Sequence, residues 1–357
     1  MAHLFEAPQP KILGYYVYQR NLLQAKDIDP FLCTHIVFAH AEVRNGELSM
    51  TRGEDVKPYR QLATLKEKNP KLKILLSVKE GLFEFIVNYR GNLSGFFKQA
   101  IIFLKEYEFD GIELSVNNPK LVDKSSLSIF LLEFHEALLR EVRYKNRQKL
   151  LMSVSLPSTR TQLMTFDFSI LRKVIDFATA TTYDLNTAPK KTCYHSPLHT
   201  GSGDNKFFTV AGLVDFFIEL GLPPSKLLWG LPTYGRSYRL HTVTQHGVKA
   251  RSEEVGDPGP ILRIKGLFTY EEVGMTLRNG AVRVYDERCC VPYLYDGKLW
   301  VTFEDPESAT EKALYFKDKL AGVAIWNLTL GDPKGKINGT KFPIVQAVKT
   351  ALLTKDK

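Results

Sequence analysis

Cysteine is scarce in this chain: Cys33, Cys193, Cys289 and Cys290 are the only four in 357 residues. That is too few for a disulfide-built scaffold, and no spacing is the two-plus-two arrangement that holds zinc. Cys33 lies in the apolar run FLCTHIVF and reads as a buried thiol, while adjacent Cys289 and Cys290 are poorly placed to bridge each other. This usage leans towards a reducing compartment. The chain also lacks an apolar run long enough to span a bilayer, so no membrane span is expected. The start, MAHLFEAPQPK, has no basic segment followed by a long apolar stretch, so no secretory leader is visible. Two locations stay open, inside the cell or exported with the leader outside this sequence. Excess charge is slight: 48 Lys and Arg against 39 Asp and Glu give +9, which permits an anionic partner but names none. The basic stretch REVRYKNRQK has neither interleaved aromatics nor a nucleic-acid module around it. It reads as solvated surface, and no nucleic-acid partner is expected. Nothing calls for a metal or another cofactor.

What is present is a folded chain with a sizeable core. Apolar residues at 44 % and charged residues at 24 % exclude a disordered, collagen-like or coiled-coil protein. Strand-like runs recur at 12–18, 34–43, 73–78, 109–116, 150–157, 174–184, 226–235 and 321–330. Most are continuously apolar, as strands buried on both faces are. Helical patterns separate them at 55–69, 93–107, 124–144 and 210–221, the last with Gly221 at its end, and another begins near Pro343. Eight alternations predict a (β/α)8 TIM barrel. A doubly wound sheet would carry a glycine-rich loop after its first strand, and ILGYYVYQRN has none. Between Gly235 and Asp305 the alternation stops. RSYRL, LFTYEEV, AVRVYDER and VPYLYDGKLWVTFE read as short strands, with turns at Asn279-Gly280 and Asp296-Gly297. The expectation is a barrel over 1–239 and 306–357. A small α+β insertion over 240–305, between the seventh and eighth strands, would then wall the mouth where barrel sites lie.

The sharpest motif is the fourth strand, Asp110-Gly111-Ile112-Glu113-Leu114-Ser115-Val116-Asn117-Asn118-Pro119. It resembles the signature of glycoside hydrolase family 18, the chitinases, which reads Asp-Gly-x-Asp-x-Asp-x-Glu. DPFLCTHIVFAHAEV, LKEKNPKLKILLSV, TTYDLN, HSPL, GLPTYGRSY and AGVAIW resemble further family landmarks in the same order, over nearly the whole chain. In detail the chain looks like the animal chitinases and their inactive, chitinase-like lectin relatives, which carry the inserted domain.

The resemblance implies substrate-assisted hydrolysis, in which the sugar's N-acetyl oxygen attacks, one Glu protonates the leaving oxygen and the preceding Asp orients the acetamido group. Here the proton-donor position holds Asn117, the orienting position Ser115 and the deeper position Glu113, with only Asp110 kept. A carboxamide has no proton to give at a useful pKa. Glu113 lies about 13 Å further down the strand, where a buried carboxylate satisfies polar neighbours rather than a sugar. No catalytic residue is therefore expected.

Binding residues are partly kept. The resemblance puts Trp326 on the floor of the cleft, keeps Tyr183 and Asp184 of the sixth strand although Met has become Thr181, and matches Tyr16, Tyr234 and Arg236. It also shows losses, with Gln19 and Gly81 standing where aromatics usually do and Lys79-Glu80 where a glycine pair does. The resemblance also implies a disulfide from the first strand to Cys33, and the partner position holds Gly14 here. Sequons occur at Asn92, Asn327 and Asn338 and matter only to an exported chain. Three functional readings follow: a weak lectin for chitin or N-acetylglucosamine oligomers, a scaffold for a protein partner, or an enzyme of other chemistry using Asp184 and Tyr183.

Overall fold

The inward and outward faces of eight parallel strands organise the chain. They are Lys11–Val17, His35–Arg44, Lys73–Glu80, Gly111–Ser115, Leu151–Leu156, Phe177–Ala180, Leu227–Pro232 and Gly322–Trp326, first to eighth. Each pairs with the next in order, and the first pairs with both the second and the eighth, so the sheet closes. This computed structural model describes residues 9–19, 21–50, 56–88, 93–115, 123–145, 148–187, 190–201 and 205–354. The expected TIM barrel is the observed fold. Among the described residues no helix is long and apolar enough to cross a membrane.

Closure makes two cores. Outward residues such as Ile12, Tyr16, Ile36, Phe38, Ile74, Leu76, Ile112 and Leu114 pack against the helices. These include Lys57–Lys68, Ser94–Glu106, Lys124–Lys145, Val210–Glu219, Pro306–Phe316 and Pro343–Leu353. Inward residues Leu13, Tyr15, Val37, Ala39, Leu75, Phe177, Leu228 and Ala324 fill the barrel. The helix at Val210–Glu219 stops just before Gly221, whose φ of +100° suits glycine alone.

Between the seventh and eighth strands, Gly235–Leu240 is central to a second, antiparallel sheet, flanked by Ser252–Val255 and by Leu299–Thr302, Val291–Asp296 and Val282–Asp286. The Asp296-Gly297 turn joins its hairpin as expected. LFTYEEV differs from expectation, because only Leu267–Phe268 pairs as strand and Tyr270–Arg278 is helix. Thr269 and Glu272 cap it reciprocally, a Thr-x-x-Glu signal that outweighs the aromatic and β-branched residues. Asn279-Gly280 consequently ends that helix instead of turning a hairpin. The sixth strand is also shorter than expected, since Asp167 caps a helix that runs to Val174. A fully buried ion pair, Lys312 to Glu304, with Ser196 Oγ donating to Glu304 and Lys312 Nζ to the Ser196 carbonyl, ties the exit of the insertion to the segment after the sixth strand.

All four cysteines are free thiols. A Cβ added at Gly14 would stand 2.9 Å from Cys33 Sγ and from both Leu328 methyls. A bridged Cβ and the opposite sulfur are about 3 Å apart, so bridging geometry survives at the position where the resemblance places the lost partner. Gly14→Cys is expected to cross-link to Cys33 on air oxidation, with Leu328 shifting. Thiol titration in denaturant should find two fewer thiols than cysteines, and stability should rise by roughly 2–4 kcal/mol. A full thiol count would contradict this geometry.

Candidate functional site at the barrel mouth

The C-terminal ends of the barrel strands bring together one aromatic group and one ionic group. Trp326, the last residue of the eighth strand, is half-buried. Tyr15 meets its ring edge-on at 4.9 Å, and His40, reaching up from the second strand, stacks on it at 5.8 Å. His40 Nδ1 lies 3.1 Å from Ser77 Oγ on the third strand. Burial, with the charge of Lys79 adding to it, lowers the His40 pKa to about 4, so this ring is neutral at physiological pH.

The ionic group centres on Asp184, in the turn after the sixth strand, with φ of 56°. Tyr234 Oη donates to Oδ2 at 2.7 Å, Arg236 Nε donates to Oδ1 at 2.7 Å, and a second Arg236 nitrogen donates to Oδ2. His195, fully buried against the Tyr234 ring, has Nδ1 3.5 Å from Oδ1. Burial pushes the Asp184 carboxyl up, but the hydrogen bonds and charge of Arg236, joined by His195, outweigh it and hold the group well below the usual carboxylate range. Tyr183 and Tyr234 are pushed well above theirs, chiefly by burial and then by the Asp184 charge. The cluster therefore contains an ionised acceptor and neutral phenols, not a proton donor.

The fourth-strand motif divides. Asp110 sits at the opposite end of the barrel, where it accepts from the Ile74 amide at 2.8 Å and pairs with Lys66 at 3.0 Å. Its role there is to fix the start of the strand. Glu113 is fully buried inside the barrel and accepts from Tyr15 Oη at 2.8 Å and from Ser77 Oγ and Thr179 Oγ1 at 3.1 Å each. Burial raises its pKa to about 7 against these three hydrogen bonds. Ser115 is buried at the end of the strand, and Asn117 lies outside the described residues.

Trp326, Tyr183, Asp184, Tyr234 and Arg236 thus share one mouth. Tyr16 does not join them. It faces outward, with its ring against Phe38 and its hydroxyl donating to the Leu23 carbonyl at 3.2 Å. Its neighbour Tyr15 holds the inward place, and a run apolar on both faces hides which of two tyrosines points in. His40 and His195 lie inside the landmark runs DPFLCTHIVFAHAEV and HSPL but are not marked there as site residues, since only their tertiary neighbours put them at the mouth. At Gly81, φ is +74° and an added Cβ would lie 2.0 Å from the Val43 carbonyl oxygen, so this backbone admits no aromatic there.

A carboxyl held low in the folded state stabilises it above the unfolded pKa, near 4, and that contribution is lost as pH falls. Asp184→Asn is expected to be less stable than wild type at pH 7 and to lose less of its stability on going to pH 3. Urea unfolding across that range checks this, and parallel pH profiles for the two proteins would contradict it.

Known proteins are similar along most of the chain. The family model described as glycosyl hydrolases family 18 matches residues 11–331. Chitotriosidase-1 of Mus musculus is 33 % identical over 344 residues, covering 92 % of this chain and 73 % of that protein. Chitinase-3-like protein 2 of Homo sapiens is 30 % identical over 342 residues, covering 92 % and 87 %. Among solved structures, human YKL-39, described as a pseudo-chitinase with retained chitooligosaccharide binding properties, superposes with a TM-score of 0.91 at 29 % identity, covering 97 % of this chain and 100 % of that one. TsES1 of Trichuris suis, described as an immunomodulatory active chitinase, reaches 0.91 at 25 % identity, covering 96 % of this chain and 100 % of that one. With the barrel, the inserted sheet and the mouth residues in place, the chain belongs to glycoside hydrolase family 18.

Proposed function

We propose that this protein is a non-hydrolysing family 18 barrel that holds chitooligosaccharides weakly at its mouth. The observation that carries the reading is the pairing of a kept binding group with a missing acid. Trp326 offers an aromatic face, and Asp184 with Tyr234 and Arg236 forms an ordered polar rim. Asn117 and Ser115 occupy the donor and orienting positions of the motif. The carboxylates that remain do not replace the donor. Glu113 is enclosed by Tyr15, Ser77 and Thr179 within the barrel, and Asp184 is held ionised by Arg236. That last point also weighs against an enzyme of different chemistry built on Asp184 and Tyr183, which would need a raised carboxyl pKa.

Weak rather than tight binding follows from the losses. Gln19 and Gly81 remove stacking surface, and the remaining contacts must offset ordering and desolvation. The likeness to a pseudo-chitinase described as retaining chitooligosaccharide binding supports the same reading.

Release of product from chitohexaose should stay at the uncatalysed level, and Asn117→Glu alone should not change that, because Ser115 remains. Calorimetric titration at pH 8 should give a Kd of roughly 10 µM to 1 mM, weakened about tenfold or more in Trp326→Ala. Turnover abolished by altering Asn117 would overturn the non-hydrolysing claim. Absence of heat, with no change in the spectra of mouth residues, would overturn the lectin reading in favour of a protein scaffold.

A further inference from the structure

Glu113 is a buried titratable group to which the reading above gives no part in hydrolysis, and its hydrogen bonds lead to the rings beside Trp326. One branch runs from Oε2 to Tyr15 Oη at 2.8 Å, and the Tyr15 ring sits edge-on against Trp326. The other runs from Oε1 to Ser77 Oγ at 3.1 Å and on to His40 Nδ1 at 3.1 Å, and the His40 ring stacks on the same tryptophan. Both rings that flank Trp326 are wired to one carboxyl. We propose that Glu113 is a positioning residue for the Trp326 face, and that its proton sets the donor direction along the Ser77–His40 branch and so the affinity of the mouth for sugar. The affinity part rests on the lectin reading above, and the part concerning His40 does not.

The number of protons available fixes which atoms donate. An ionised carboxylate only accepts, so Ser77 spends its single hydroxyl proton on Oε1, and His40 Nδ1 must then be the donor to Ser77 Oγ. A proton arriving on Oε1 is donated to Ser77 Oγ. The Ser77 proton then turns to His40 Nδ1, and the imidazole proton moves to Nε2. The imidazole stays neutral throughout, but the two nitrogens exchange donor and acceptor roles. Charge-assisted bonds from Tyr15 and Ser77 exist only in the ionised state, so the face is held more firmly above the transition than below it.

The surroundings leave Glu113 as the group that titrates in this window. Facing it are Tyr15 from the first strand, Ser77 from the third, Ser153 opposite it on the fifth, and Thr179 from the sixth with Tyr183 beyond. The phenols of Tyr15 and Tyr183 are raised well above their usual value by burial and stay neutral. From the second strand come His40, lowered to about 4 by burial and Lys79, and His35, lowered to about 4 by burial and then by Lys11 and Lys73. Neither histidine titrates near 7. The carboxyl itself is raised to about 7 by burial, which places the switch near neutral pH.

The test uses full-length protein carrying ¹⁵N-histidine, with His40 signals assigned from a His40→Gln variant. Long-range ¹H–¹⁵N spectra from pH 5.5 to 8.5 report which ring nitrogen bears the proton. The expected result is a change from Nε2–H to Nδ1–H through a midpoint near 7. It should be absent in Glu113→Gln and in Ser77→Ala, and restored in Glu113→Asp. Chitohexaose affinity should be higher at pH 8 than at pH 6 by about fivefold, and pH-independent in Glu113→Gln. If Glu113→Gln does not fold, Ser77→Ala carries both comparisons. A His40 signal that does not change over this range, or that changes identically in the folded variant, overturns the proposal. Failure of sugar binding at every pH with the His40 transition intact overturns the lectin reading and the affinity part while leaving the proton relay standing.

Discussion

The mouth of this barrel depends on one carboxylate. Asp184 stands at the turn where the sixth strand ends, and it is gripped by Arg236 from the first strand of the inserted sheet and by Tyr234 just before it. An ion pair at the surface is worth little, but this one is largely withdrawn from water and made of directed hydrogen bonds. It fixes the inserted sheet against the barrel and keeps its own charge in doing so. The buried Lys312–Glu304 pair closes the other end of the insertion against the segment after the sixth strand. The inserted sheet is therefore tied at its entry by a partly buried ion pair and at its exit by a fully buried one, and the fully buried pair tolerates loss of either partner poorly.

A second consequence follows from closing eight strands into a ring. Every inward position must be filled, and the fourth strand sets a glutamate beside the buried polar side chains of Ser77, Ser153 and Thr179, next to the apolar residues that pack the rest of the interior. Burial of that group is tolerated because Tyr15, Ser77 and Thr179 satisfy it, and its proton becomes easy to keep. In a hydrolysing site the motif would pass protons towards a sugar bond. Here two of the hydrogen bonds that Glu113 accepts lead to the rings beside Trp326, one directly through Tyr15 and one through Ser77 to His40.

Much of this was legible in the sequence because the signals were periodic or spaced. The eight strand–helix alternations, the break after Gly235 and the Asp-Gly-x-x-x-x-x-Asn remnant all survive in one dimension. The Asp184–Tyr234–Arg236 group was legible only through the family resemblance, since its members are about fifty residues apart. What was not legible depended on facing and on local competition. Tyr15 and Tyr16 are equivalent in a run buried on both sides, and the closed sheet alone decides that Tyr15 looks inward. The segment after Phe268 carries strand-like residues, but Thr269 and Glu272 supply a reciprocal cap and helix prevails. His40 reads as an ordinary strand residue until its neighbours Ser77 and Trp326 arrive from distant parts of the chain.

The central claim is that the mouth keeps the sugar and not the chemistry. A crystal structure of the protein soaked with chitohexaose at pH 8 tests both halves in one measurement. The account predicts an unbroken oligomer with one ring on the Trp326 face and polar groups turned towards Asp184 and Tyr234. Shortened sugars in the mouth, or a mouth empty of sugar at saturating concentration, would contradict it.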